Sequence, residues 1–468
     1  MTPEQIFERI HTAIHTMIKA GQPYKGLFPS ILDPQAGEML QTKPPKIPGQ
    51  RDGDRAHLGC NLIHDEPLLQ TMYSLGEPQY TEAADRYLSH FAHNCTNTAT
   101  GLFPWGEHSF WHLVEERVGC SRNLQGGNAI HDHLRLVPLW LWEKLNFFNP
   151  DCVQSFADGL DYHWTQGAGN EYIRHANIEV QSQLVRGDRS CDFPRHSGFY
   201  IFDLTFAYAQ HQRPEILDQI RIMTDYWWEK RDECGLLLIE SRSPRIAERF
   251  FGNNAPTQTL SLGASLLESA ELMEPFDVEL ASKMRSYARV YIGGFLSAPH
   301  QLKEKRFVGL CQKGTQKVVE LMSIWGSVYG ASTAGGTAVL CMNVWRLTQK
   351  PELLKWAQAV GQGYLDEPFP LDQIITEGFK IPVADPGLVL ALFSDLYQVT
   401  DDSSWLEAGL DLATSVCEVY FQEALPLGAS GIDWYESQIG PGFLIHGLAR
   451  LAYLAEGICP LAPNYTAR

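Results

Sequence analysis

Apolar residues recur at three-and-four spacing along most of this chain, and the stripes begin where a proline precedes an acid or amide. Pro3-Glu4 leads into Ile6, Ile10, Ile14 and Met17, and Pro78-Gln79 into Ala83, Tyr87, Leu88 and Phe91. Pro150-Asp151, Pro214-Glu215 and Pro351-Glu352 open in the same way, with Leu217, Ile220, Met223 and Trp227 following Pro214. Pro275-Phe276-Asp277 is a looser version. Thr400-Asp401-Asp402 keeps the acidic cap without the proline, ahead of Leu406, Leu410, Ala413 and Tyr420. A last stripe runs through Phe443, Leu444, Gly447, Leu451 and Leu454. Such spacing puts the apolar side chains on one helical face. Proline suits the first helical position because its missing N–H has no intrahelical partner there, and nearby acids complement the dipole.

Most of these starts fall about 60–75 residues apart, the length of a helical hairpin plus a loop, so the chain reads as one repeated unit. Alternation of the strand kind is scarce, with Leu236–Ile239 and Phe307–Leu310 the best short candidates. Paired helices without a βαβ pattern predict an all-α fold. The expectation is an (α/α)6–7 toroid, an incomplete or closed barrel of helical hairpins, formed by residues 1–468 as one domain. Long polar and aromatic loops at 40–65, 95–130, 165–198, 240–258 and 425–442 would surround its central cleft.

Composition narrows the partners. A formal charge of -18 disfavours nucleic acid, which wants a basic surface, although a basic cleft can still sit in an acidic protein. The 12 Trp and 18 Tyr supply flat faces of the kind that hold sugar rings. The 10 Cys are scattered with no CxxC pair, which points to buried thiols more than to disulfides or zinc. The first stripe is interrupted by Glu8, Arg9 and Lys19, and Thr2 with Gln5 forms a capping box, so the N-terminus reads as a helix rather than a signal peptide. A cytoplasmic location is expected on that ground, or a secreted or periplasmic one had a signal been removed. No apolar run of membrane-spanning length is present.

Four loop segments carry the candidate chemistry. Phe103-Pro104-Trp105-Gly106-Glu107-His108-Ser109-Phe110-Trp111 sets an acid and an imidazole between aromatics. Tyr172-Ile173-Arg174-His175-Ala176-Asn177 and Asp192-Phe193-Pro194-Arg195-His196-Ser197-Gly198-Phe199-Tyr200 each carry an Arg-His pair. Glu240-Ser241-Arg242-Ser243-Pro244-Arg245 is rich in arginine. In a chain short of positive charge, these arginines fit carboxylate binding, since the guanidinium fork matches a carboxylate. Imidazoles move protons near neutral pH. Tyr329, between glycines, is a further candidate if its phenol is acidified by Arg and His. His131-Asp132-His133 has the look of a metal ligand set, but apolar Leu134, Leu136, Leu139 and Trp140 follow it, so a helix cap explains Asp132 as well. Arg51-Asp52-Gly53-Asp54-Arg55 lacks calcium-loop spacing and reads as a salt-bridged turn that can face the cleft. No cofactor is expected.

The stretches Trp105-Gly106-Glu107-His108, Arg174-His175 and Pro194-Arg195-His196-Ser197-Gly198-Phe199 resemble those of α/α-toroid polysaccharide lyases of the glucuronan- and alginate-lyase-like kind. The resemblance covers about residues 50–450 and implies β-elimination on a uronic acid polymer or oligosaccharide. It implies His196, Tyr329, Arg245 and His175 as catalytic residues. Trp105, Glu107, His108, Arg174, Asn177, Arg195, Tyr200 and Arg242 would bind the substrate. Phe250 and Phe251 stand where the family places a tyrosine, leaving Tyr329, Tyr200 and Tyr172 as alternative bases. In such a reaction, donors that stabilise the charge building on the carboxylate dominate, each worth about 3–4 kcal/mol. Two other readings stand beside it. One is a toroid glycoside hydrolase with Glu107 as acid and Asp192, Glu240 or Asp433 as second carboxylate, or a sugar epimerase exchanging protons between histidines. The other is a helical sugar-binding scaffold without turnover.

Overall fold

The computed structural model describes residues 1–120, 129–164, 172–183, 192–240, 252–328, 333–458 and 461–468. Fifteen α-helices lie among them. Seven form an outer layer: α1 (Pro3–Gly21), α3 (Pro78–His90), α5 (Pro150–Gly159), α7 (Pro214–Trp228), α9 (Val278–Ser297), α11 (Pro351–Asp366) and α14 (Ser403–Tyr420). These are the seven that the sequence punctuation marks. In five of them proline occupies the first turn, while Asp277 and Asp402 cap α9 and α14 by accepting from the N–H groups of Leu280 and Ser404.

The inner layer is α2 (Leu62–Leu75), α4 (Leu139–Phe148), α6 (Pro194–His211), α8 (Pro256–Met273), α10 (Ala334–Thr348), α13 (Ala384–Thr400) and α15 (Pro441–Ala455). A short α12 (Leu371–Glu377) lies between α11 and α13. Apart from the short α4, the inner helices are buried nearly all round, so they carry little amphipathic signal. Small residues let them approach closely. A Cβ on Gly387 of α13 would lie 2.5 Å from the Leu444 amide of α15, and one on Gly198 of α6 would lie 2.9 Å from Ser265 of α8. Helix α15 also packs on α2, where a Cβ on Gly442 would meet the Leu68 amide at 3.1 Å, and this contact closes the ring.

The short strands tie distant loops at one rim. β1 (Ile31–Leu32) pairs antiparallel with β10 (Tyr435–Glu436), joining the two ends of the chain. Beside that pair, the buried Arg55 guanidinium forks onto Glu436 at 2.7 and 2.9 Å. β2 (Gly59–Cys60), β3 (Ser109–His112) and β4 (Arg117–Cys120) form a sheet, as do β7 (Asn253–Asn254), β8 (Val308–Gln312) and β9 (Val318–Leu321). Of the two strand candidates, Phe307–Leu310 overlaps β8, whereas Leu236–Ile239 contributes only an isolated bridge from Leu238 to Asn254.

The opposite end of the ring is crossed by residues 461–468. Asn464 Nδ2 donates to both Glu66 oxygens (3.2 and 2.8 Å) and to Gln70 of α2. Tyr465 reaches Asp395 of α13, and Arg468 pairs with Glu268 of α8. A cavity of about 210 Å³ remains beside this segment. No helix among the described residues is long and apolar enough to cross a membrane.

Candidate active site

The site is assembled by two small pairings. β5 (Ile130–His131) runs antiparallel to β6 (Ala176–Asn177) with His131 opposite Ala176, which sets Asp132 next to the Arg174-His175 turn. Gly106 bridges Asp132 in parallel, with φ +88 and so little room that a Cβ would fall 1.4 Å from the Asp132 carbonyl oxygen. Only glycine fits there. The contact presses Glu107 and His108 against Asp132, while Asn61, the N-cap of α2, donates to the Gly106 and Ser109 carbonyls.

Three carboxylates and three imidazoles meet around one guanidinium. A single Arg174 nitrogen, Nη1, lies 3.1 Å from both Glu107 Oε2 and Asp132 Oδ2. His108 spans the other side, with Nδ1 at 3.2 Å from Asp54 and Nε2 at 3.5 Å from Glu107. His175 stacks on His108 at 5.3 Å and holds Nε2 at 3.9 Å from Asp132 Oδ2. His196 Nδ1 lies 3.8 Å from Asp132 Oδ1, and Arg195 Nε lies 3.4 Å from His196 Nε2. The Arg174 guanidinium also lies over the Phe193 ring at 4.5 Å.

Burial sets the protonation states. Burial, reinforced by Glu107 against the pull of Arg174, pushes Asp132 up to about 7. Asp54 is pushed up to about 6, again chiefly by burial, with His108 opposing and Glu107 adding to the rise. Burial disfavours the charge on His108, yet Asp54, Glu107 and Asp132 outweigh it, so its basicity rises. His175 and His196 go the other way: burial and the neighbouring arginines hold them well below the usual imidazole range.

Beneath the cluster lies a chain of oriented hydrogen bonds. His163 donates from Nδ1 to the Ile173 carbonyl (2.9 Å), which leaves its Nε2 to accept from His131 Nδ1 at 2.8 Å. His131 Nε2 accepts from the Trp105 indole at 3.1 Å, and His133 Nε2 shares that donor at 3.3 Å. His133 Nδ1 faces Asp203 at 3.3 Å, and Trp142 donates to the same carboxylate. Tyr200 donates to the Arg174 carbonyl at 3.2 Å. Strand alternation turns His131 and His133 away from Asp132, so the triplet is two anchors and one functional acid.

The expected residues therefore divide. Glu107, His108, Arg174, His175, Arg195 and His196 converge. Trp105 and Tyr200 are fully buried supports, and burial pushes the Tyr172 and Tyr200 phenols up. Asn177 donates to Ser182 at the site's edge. Tyr329, Arg242, Arg245, Phe250 and Phe251 lie outside the described residues. The capping reading of Asp132 is corrected: helix α4 starts at Leu139 with Pro138 at its cap, and Asp132 belongs to the bridge beside β5. The acids beside Glu107 are Asp132 and Asp54. Asp192 instead accepts from Tyr226 at 2.9 Å, and Asp433 is exposed. Two His/carboxylate groups, His108 with Asp132 and His175 and His108 with Asp54 and Glu107, have metal-ligand spacing. The first has Arg174 within 3.1 Å of its acid and the second has Arg51 within 4.0 Å of Asp54, a poor setting for a second cation.

No protein-family model matches this chain, and no curated protein matches it by sequence. Solved structures do match in shape. An unsaturated glucuronyl hydrolase specific for heparin is 11% identical, with 97% of this chain and 98% of that chain covered and a TM-score of 0.50. A D-mannose isomerase is 12% identical, with 80% of this chain and 97% of that chain covered and the same TM-score. At this identity the likeness concerns the fold, which is a helical toroid.

Proposed function

We propose that this protein is a carbohydrate-active enzyme that hydrolyses a glycosidic bond at the rim cluster, with Asp132 as general acid and Asp54 as general base. The carrying observation is the shared Arg174 nitrogen, which fixes Glu107 beside a buried Asp132 pushed up to about 7. Asp132 keeps a proton near neutrality, and Asp54, at about 6, gives up its own first. Two acids whose environments set them apart can divide the roles of acid and base. Asp132 passes its proton to the glycosidic oxygen as the C–O bond breaks, and water adds to the anomeric carbon while its proton goes to Asp54. Glu107, held by Arg174, stands between the two as a fixed negative charge that favours the developing cationic sugar. The likeness in shape to a glucuronyl hydrolase supports the same reading.

Elimination is the second reading, favoured by the Arg195–His196 pair at the head of α6. Its difficulty is the base. His175 and His196 are held well below the ordinary imidazole range and the described Tyr172 and Tyr200 well above the phenol range, so none of these four is tuned to take a carbon-bound proton. Ultraviolet absorbance separates the reactions. Hydrolysis of an oligosaccharide ending in a 4,5-unsaturated uronate frees a hemiacetal whose ring opens and whose enol becomes a ketone, so absorbance should fall, whereas saturated glucuronan, alginate or pectate would gain it on elimination. Mass-neutral change in the sugar would indicate epimerisation instead. Hydrolysis that survives in Asp132→Asn at the wild-type rate would remove the proposed acid.

A further inference from the structure

The cavity of about 210 Å³ beside residues 461–468 shares no residue with the rim cluster, and its lining has a character of its own. Three carboxylates line it, from Glu66 of α2 and from Glu268 and Glu271 of α8. Among the described residues, no lysine, arginine or histidine does. Three aromatic side chains belong to its walls: Trp140 of α4, Phe202 of α6 and Tyr465. Glu271 is exposed and Leu139 is 38% exposed, so the cavity reaches the surface.

The hydrogen bonds around it narrow the choice of ligand. Glu66 Oε1 accepts from the Trp140 indole at 3.0 Å and from Asn464 at 3.2 Å, and Oε2 accepts from Asn464 at 2.8 Å and Thr466 at 2.9 Å. Those four bonds fill a carboxylate. Glu268 Oε1 accepts from Asn343 and from Arg468, each at 3.2 Å. Gln70 accepts from Asn464, and the Tyr465 phenol donates to Asp395. A ligand entering here therefore meets ring surface, leucine side chains and negative charge, with few acceptors left to bond. Arg468 offsets Glu268, and Arg135 lies within electrostatic reach of Glu66, but neither acts on Glu271. An ammonium bearing N–H groups would give up water without regaining acceptors, and an anion would meet three like charges. A quaternary ammonium has no N–H to satisfy, and both aromatic rings and carboxylates attract its methyl-covered charge. We infer that this cavity is a binding site for a quaternary ammonium ion, a trimethylammonium group of the kind choline carries. The site is independent of sugar cleavage at the rim.

Calorimetric titration of the full chain with choline, with 3,3-dimethylbutan-1-ol and with ethanolamine tests the site. The alcohol has the shape of choline without its charge, and ethanolamine has the charge with N–H donors. Wild type should bind choline roughly ten- to hundredfold more tightly than either. Phe202→Leu keeps apolar bulk but removes a ring, and Glu271→Gln removes the exposed charge. Each should lower choline affinity roughly two- to fivefold. Choline binding that is undetectable, or no tighter than that of either analogue, would overturn the assignment. Unchanged choline affinity in either variant would do the same, because the ion would then sit elsewhere. Glu271 is exposed, so its variant should fold even if Phe202→Leu does not, and the wild-type comparison needs neither.

Discussion

Asp132 shows how one residue can be misread from sequence and recognised from its surroundings. Its two histidine neighbours advertise a metal and its downstream apolar run advertises a cap, yet the strand pairing turns the acid alone toward Arg174. The segments 103–111, 172–177 and 192–200 were legible because acids, imidazoles and arginines were interleaved with aromatics in long loops. What could not be read is which polar residue faces outward, since that depends on pairings between segments some 25 to 70 residues apart. With Asp54 required ionised and Asp132 required protonated, the pH–rate profile should be a narrow bell. Activity should fall below about 6 and above about 7, and a flat profile across that range would contradict the assignment. Asp132→Asn should lower kcat by about 10²–10⁴-fold. Because Arg174 holds the Asp132 carboxyl down, Arg174→Ala should move the alkaline limb upward while reducing the rate. The same acids link pH to stability. The folded state retains protons that the unfolded chain would release, so stability should decline as pH rises from 3.8 toward about 7, measurable as a falling Tm.

At the scale of elements, the sequence displays one half of the architecture. The outer helices have one wet face and one dry face, with proline or aspartate at the start, so each is visible as a stripe with punctuation. Apart from α4, the inner helices are dry nearly all round, and Pro194 and Pro256, though placed just as well, precede no clean stripe, while Pro441 heads the one inner stripe that the sequence shows. Their spacing is set by glycines instead. Gly387→Ala should cost about 1–3 kcal/mol, because the methyl would run into the α15 backbone. Gly336→Ala, whose nearest neighbour is Leu388 at 3.7 Å, should be neutral or stabilising by up to about 1 kcal/mol. Urea unfolding of the two variants provides the comparison, and equal losses would show that helix separation is not fixed at Gly387.

For the whole molecule, residues 461–468 act as a crossbar. They bond to α2, α8 and α13, which stand on different sides of the ring, and they supply partners for Glu66, whose buried carboxyl is pushed upward by loss of water. Asn464→Ala should destabilise the fold by about 1–3 kcal/mol through the unmet acceptors on Glu66 and Gln70. Removal of residues 461–468 should cost more, seen as a larger drop in Tm.

The crossbar also closes the end of the ring away from the rim cluster. If the rim cluster cleaves sugars as proposed, a polymer cannot be threaded past that closed end, so it must present a terminus, and the released sugar must leave by the doorway it entered. Single sugars should thus accumulate from the first minutes of digestion, and they should inhibit competitively; early release of long fragments would mean that the backbone is gripped mid-chain after all.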